Sequence, residues 1–166
     1  MKAEAKVFSA DGSVLFEKTI FLDASEDSTV QVCEFKPDFN VPIYYLSLRL
    51  TKDGQQLAEN FYWEGTEPGN WQAISYGNAK DLKVSFRETA AGHADVTVSN
   101  TGKIVLPMVR LNLLGNGKKG TEQILPTFYE DNYFSLLPGQ TRTIGIDWIA
   151  AEHASDKISV KVEALR

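Results

Sequence analysis

Cysteine, histidine, basic runs and long apolar runs are all scarce in this chain. Its 166 residues hold one cysteine, Cys33, so no internal disulfide can form, and two histidines, His93 and His153, sixty positions apart. A disulfide scaffold and a Cys/His metal cluster are excluded on that count, and no cofactor or metal is expected. Lys and Arg total 17 against 22 Asp and Glu, a formal charge of −5, and the longest basic run is the pair Lys118 and Lys119. Nothing in that pattern offers a phosphate backbone an electropositive face, so nucleic acid is not expected as a partner. No apolar run approaches the ~20 residues that a membrane-spanning helix needs, and the acidic, alternating start at Met1 lacks the basic and apolar regions of a signal peptide. A membrane partner is therefore not expected. Also missing is any stretch of ten or more residues with a helical apolar stripe.

What the sequence has instead is a period of two almost everywhere, which predicts an all-β chain. Ala3, Ala5 and Val7 alternate with Lys2, Glu4 and Lys6 before Asp11-Gly12, a pair suited to a tight hairpin. A second strand is expected from Val14 to Leu22 and a third from Thr29 to Phe35, where Val30 and Val32 share a face and Cys33 is expected as a small buried hydrophobe. After a loop bracketed by Pro37 and Pro42, Leu46, Leu48 and Leu50 alternate up to Asp53-Gly54, and the chain returns through Leu57 to Trp63. Between Glu64 and Asp81 the residues Gly65, Pro68, Gly69, Gly77 and Asn78 break every periodicity. Strands resume at Leu82–Phe86, Ala94–Val98, Val109–Leu113, Ile124–Phe128, Phe134–Leu136, Ile144–Trp148 and Ile158–Val162, with one short helical turn expected in Ala150–Asp156. Seven short strands in about 85 residues is the spacing of an immunoglobulin-like β-sandwich.

The expected organisation is thus a partial immunoglobulin-like domain over residues 1–66, a linker over 67–81 and a complete domain over 82–166. A half with only about five strands leaves an edge or a face uncovered. The chain opens directly into a strand, so we expect it to be excised from a longer one, with the first domain's N-terminal strands lying upstream.

Candidate chemistry is thin. Glu130-Asp131 is an adjacent acidic pair, but neighbours within a turn do not flank a sugar as glycosidase carboxylates do; Asp131 and Asn132 suit Asx-type turns instead. His93 and His153 have no ligand-spaced companions and are expected as solvated side chains. Gly-Xaa-Ser-Xaa-Gly is absent, and the glycine-rich run Gly115 to Gly120 lacks Walker spacing and reads as a hairpin turn. Catalytic residues are therefore not expected. Aromatic side chains are the better candidates, because their rings stack on sugars or on neighbouring domains by the same apolar contact. They are Phe61, Tyr62, Trp63, Trp71, Tyr129 and Tyr133, with Tyr76 also in the linker.

Two stretches carry a resemblance. Leu46 to Trp63, ending Asn-Phe-Tyr-Trp, resembles the closing hairpin of the immunoglobulin-like domain after the catalytic barrel in family-two glycoside hydrolases of the beta-mannosidase and exo-beta-glucosaminidase type. Val109 to Leu114 and Ile124 to Gln140, the latter read Ile-Leu-Pro-Thr-Phe-Tyr-Glu-Asp-Asn-Tyr-Phe-Ser-Leu-Leu-Pro-Gly-Gln, resemble the C-terminal immunoglobulin-fold domain of the same enzymes. The resemblance implies a non-catalytic accessory region whose parent carries both catalytic glutamates on an upstream barrel. It also implies the barrel and other parent domains as partners, a role in bracing that barrel or in homo-oligomerisation, and a periplasmic or secreted location. The alternative is a carbohydrate-binding module that presents the aromatics above to a glycan.

Overall fold

The computed structural model describes residues 1–23, 25–36, 38–74, 77–117, 120–153 and 156–164. Pro37, Tyr76, Lys118 and Lys119, named above, lie outside the described residues. The chain divides into two compact units, Met1–Ser75 and Tyr76–Arg166.

Unit 1 is a four-stranded antiparallel sheet of β1 (Lys2–Phe8), β2 (Val14–Phe21), β3 (Ile43–Lys52) and β4 (Gln55–Gly65), in the order β2-β1-β3-β4. The hairpin signals act as read: Asp53 and Gly54 both take positive φ between β3 and β4, which matches the twist of the flanking strands. Register puts Ala3, Ala5 and Val7 opposite Leu50, Leu48 and Leu46 on one face. The expected strand Thr29–Phe35 is absent from the sheet, which leaves four strands among the described residues where five were expected. That segment lies over the apolar face instead. Phe35 stacks on Phe16 with centroids 5.2 Å apart, and Phe39 continues the row to Tyr44 at 5.4 Å. Alternation could not separate an added strand from a cover, because the apolar side chains of Val32, Cys33 and Phe35 can serve either. Cys33 is accordingly half-buried on this cover and not deep in a strand. Between cover and sheet remains a cavity of about 430 Å³ lined mostly by apolar groups, among them Ala3, Ala5, Val32, Leu46 and Leu48.

Unit 2 is a sandwich of two four-stranded sheets. One carries β5 (Leu82–Ala90), β6 (His93–Asn100), β11 (Thr141–Trp148) and β9 (Thr127–Tyr129) in the order β5-β6-β11-β9. The other is built on β7 (Leu106–Gly117), flanked on one side by β12 (Lys157–Glu163) and on the other by β10 (Phe134–Leu136) and β8 (Gly120–Gln123). Inward residues of both sheets form one buried cluster that includes Val96, Val98, Leu111, Leu113, Leu136, Ile144 and Ile146. Burying such side chains stabilises by roughly 1.5–3 kcal/mol each. The stretch read as one strand, Ile124–Phe128, is not one: β8 ends just before it in one sheet, β9 begins within it at Thr127 in the other, and the buried Ile124 lies in the crossing between them. A chain crossing from sheet to sheet keeps the same alternation, so the break is invisible in the pattern. The short helical turn is present as a 3-10 segment at Ala150–His153.

Side chains complete what the strands of unit 2 leave open. Strand β10 pairs with β7 at Leu106 and Val109, and β8 pairs from Leu114 onward. The intervening backbone would lack partners on that side, and a buried orphan amide is costly. Asn132 fills the gap as a strand residue would: its Oδ1 accepts from the Leu111 N–H at 2.8 Å and its Nδ2 donates to the Leu111 carbonyl at 3.1 Å. The Tyr129 hydroxyl then accepts from the Leu113 N–H at 2.9 Å, and the Ile124 N–H donates to the Leu113 carbonyl at 3.0 Å. Asn100, only 1% exposed, closes the β6–β7 corner by donating to the carbonyls of Ile104 and Leu136 while accepting from the Gly102 N–H.

Candidate functional site

The six aromatic candidates part company in the structure. In unit 1, β4 turns Phe61 and Trp63 to the face opposite the leucines, where Phe61 stacks on the buried Tyr45 at 5.9 Å. A 3-10 segment at Asn70–Ala73 folds back so that Trp71 meets Trp63 edge to face, 5.6 Å apart at 89°. Thr66 anchors this end by donating to the Val41 carbonyl, and Asn70 donates to the Thr66 hydroxyl. Trp71 stays 46% exposed on top of this group. Tyr62 points the other way, exposed beside Leu46 on the leucine face. In unit 2 the Tyr129 hydroxyl is spent on β7, whereas Tyr133 is exposed with the Arg110 guanidinium 5.8 Å from its ring centre. The structure therefore brings together Phe61, Trp63 and Trp71, and places Tyr62, Tyr129 and Tyr133 elsewhere.

The acidic pair is taken up by structural work. Glu130 accepts from the Gly145 N–H at 2.9 Å and lies so close over Gly145 that an added Cβ would stand 2.8 Å from its carboxyl carbon. Asp131 makes a 2.8 Å ion pair with Arg142, whose guanidinium also sits 5.0 Å from the ring centre of Phe134. Asn132 does form a local bond, to the Tyr133 N–H at 3.0 Å, but its main role is the long-range repair of β7. Tyr129, Glu130, Asp131 and Asn132 are thus each bonded to another strand of the sandwich.

The outer face of the β5-β6-β11-β9 sheet is polar and cross-linked. Thr97 and Thr143 hydroxyls meet at 3.0 Å, Ser99 and Thr141 at 2.8 Å, and Arg87 reaches Asp95 at 2.9 Å. The histidines, expected to be simply solvated, each have a carboxylate: His93 Nδ1 lies 2.6 Å from Asp147 and His153 Nδ1 lies 2.8 Å from Asp156. The hydrogen bond to Asp147 holds the His93 imidazole above its ordinary value of 6.5, outweighing the desolvation that opposes it, and the charges of Asp147, Asp95 and Glu130 act in the same direction. On this polar face stands one large apolar side chain from β9, Phe128, 64% exposed and directly opposite Asp147. Sequence reasoning passed over it, since Phe128 and Tyr129 are adjacent and only register decides which one faces out.

Among the described residues, every buried side-chain nitrogen or oxygen has a hydrogen-bond partner. No group of three His, Cys, Asp or Glu side chains among them is placed to hold a metal ion.

Comparison with known proteins agrees with this geometry. Exo-beta-D-glucosaminidase of Arthroderma benhamiae is 23% identical over 165 residues, covering 86% of this chain and 18% of that protein. The exo-chitosanase CsxA of Amycolatopsis orientalis superposes with a TM-score of 0.63 at 19% identity over 98% of this chain and 22% of its own. A structure describing inhibition of the exo-beta-D-glucosaminidase CsxA by a glucosamine-configured castanospermine gives the same TM-score at 21% identity. The chain spans about a fifth of the length of these relatives, and at such identities the superposition shows the fold. Residues 60–165 match the family described as the exo-beta-D-glucosaminidase Ig-fold domain, and the chain belongs to that family.

Proposed function

We propose that this chain is the non-catalytic accessory region of a family-two, glucosaminidase-type glycoside hydrolase, and that it braces the catalytic barrel of its parent. The observation that supports it is the apolar face of unit 1. Leu46, Leu48 and Leu50 are only half-buried there, the cover over them leaves the 430 Å³ cavity, and Tyr62 lies exposed alongside. A face of that kind gains stability when another domain packs on it, and rigid support around an active site preserves its geometry. The hydrolytic glutamates belong to the barrel in this reading, and the substrate is a β-linked glucosaminide, as the names of the relatives suggest.

The test is to place Tyr62→Ser together with Leu48→Ser in the full-length enzyme and in the 166-residue chain alone. Bracing requires a larger loss of thermal stability in the enzyme than in the isolated chain, with turnover of p-nitrophenyl glucosaminide reduced. Equal shifts in both, with turnover unchanged, would overturn it. A second reading, glycan binding at the aromatic end of unit 1, has the exposed ring of Trp71 in its favour. It requires that Trp71→Ala abolish binding of a soluble oligosaccharide.

A further inference from the structure

We propose that the row Phe128, Asp147 and His93 on the outer face of unit 2 is a binding site for one pyranose ring of a β-linked glucosamine chain. The choice of an amino sugar rests on the reading above; the site itself rests on geometry.

Register sets the three side chains in line, Phe128 of β9 opposite Asp147 of β11, and Asp147 opposite His93 of β6. Neighbouring strands run ~4.8 Å apart, so a single sugar ring lying on the Phe128 ring would have its rim within reach of the Asp147 carboxylate. Phe128 is out of place as a solvated residue. It is a large apolar side chain, well exposed on the edge strand of a face whose neighbouring groups on β6 and β11 are charged or hydroxylic. It is also out of place as the centre of a protein interface, because the polar groups around it are already bonded to one another and would be buried without gain.

A pyranose suits such a surface. Its C–H face stacks on an aromatic ring, while its rim of hydroxyl and amino groups needs fixed polar partners. Those partners are rigid here: Asp147 Oδ1 is held by His93 at 2.6 Å, and the hydroxyl pairs Thr97–Thr143 and Ser99–Thr141 extend the polar surface along the strands. Preorganised groups lose little freedom when a ligand arrives. No hydrogen bond from a described residue reaches Asp147 Oδ2, and this carboxylate is more than half exposed. Asp95 is neutralised by Arg87, and Glu130 spends one oxygen on the Gly145 N–H. Asp147 Oδ2 is therefore the acceptor for a sugar ammonium, a charged donor that a neutral sugar does not carry.

The test is titration of the 166-residue chain with the β-1,4-linked glucosamine hexamer and, separately, with cellohexaose, followed by calorimetry and amide chemical shifts. Expected are saturable millimolar binding of the glucosamine hexamer, shift changes centred on Phe128, Asp147 and His93, and weaker binding of cellohexaose. Phe128→Ala should weaken binding about tenfold, a loss of ~1.4 kcal/mol. Phe128→Tyr should retain it, and Asp147→Asn should erase the preference over cellohexaose. Because unit 1 is acidic, Trp71→Ala serves as the control and should change nothing. Absence of saturable binding, binding untouched by Phe128→Ala or abolished by Trp71→Ala, or equal affinity for cellohexaose would each overturn the assignment. None of these outcomes bears on bracing, which stands or falls on the stability comparison above.

Discussion

The two units are made from the same alternation and differ in how far they are finished. Unit 2 closes: two sheets share one core, and where its strands fall short Asn132, Tyr129 and Asn100 supply the missing hydrogen bonds. Unit 1 has one sheet with an irregular cover and a cavity beneath it. Charge divides along the same line. Unit 1 contains 6 Lys and Arg against 12 Asp and Glu, a net −6, whereas unit 2 contains 11 against 10, a net +1. Alternation is enough to make a sheet, but a closed domain needs a second sheet and polar side chains at every corner.

The largest expected effect breaks this contrast if it fails. Leu111→Ala in the core of unit 2 should cost about 2–5 kcal/mol, while Leu48→Ala, half-buried over a cavity, should cost well under half as much. Denaturant unfolding read by Trp148 for unit 2, and by Trp63 and Trp71 for unit 1, separates the two; equal losses would mean that unit 1 is as well packed as unit 2. Next in size is Asn132→Ala, which leaves the Leu111 N–H and carbonyl without partners and should cost about 1–3 kcal/mol. A loss within error of zero would show that water replaces the amide, and the repair of β7 would be of little consequence.

The smallest effects are opposite pH dependences. His93 is more basic in the folded chain than its ordinary 6.5. Its contribution is thus complete below that value and fades as pH rises through the raised folded value. Asp11, in the β1–β2 turn of unit 1, is held down to about 2, first by the Ser9 hydroxyl and then by the Ser13 N–H. Its contribution is present above the ordinary 3.8 and fades as pH falls toward about 2. Unfolding midpoints should fall slightly with alkalinity for unit 2 and with acid for unit 1. His93→Gln and Asp11→Ala should each flatten one limb only; a variant that flattens both would show that the units do not respond separately.

Much of this architecture was legible in the residues, and the failures share a cause. Hairpins declared themselves because Asp11-Gly12 and Asp53-Gly54 carry their conformational requirement locally. The sandwich of unit 2 was legible from inward-facing runs such as Ala94, Val96 and Val98. What alternation hides is the identity of the partner. Thr29–Phe35 reads like a strand although it covers a face, and Ile124–Phe128 reads like one strand although most of it is the crossing between two sheets. The same holds for the site residues. Tyr129 looked like a surface ring and is an internal hydrogen-bond acceptor, Asn132 looked local and acts on Leu111, 21 positions away, and Phe128 drew no notice. Long-range register, which no window of sequence contains, decides each case.

The bonds from Tyr129 and Asn132 to β7 also act as a gauge of length. Their contacts, on Leu113 and Leu111, fall at alternate residues of one strand, so the connection between β9 and β10 must keep its residue count to keep its match. Surface connections ordinarily accept extra residues at little cost. This one should not: a single inserted residue between Tyr129 and Asn132 would shift one side chain off its amide whichever way the chain relaxed. Diversity among relatives should therefore collect in the β7–β8 turn and leave the β9–β10 connection constant in length.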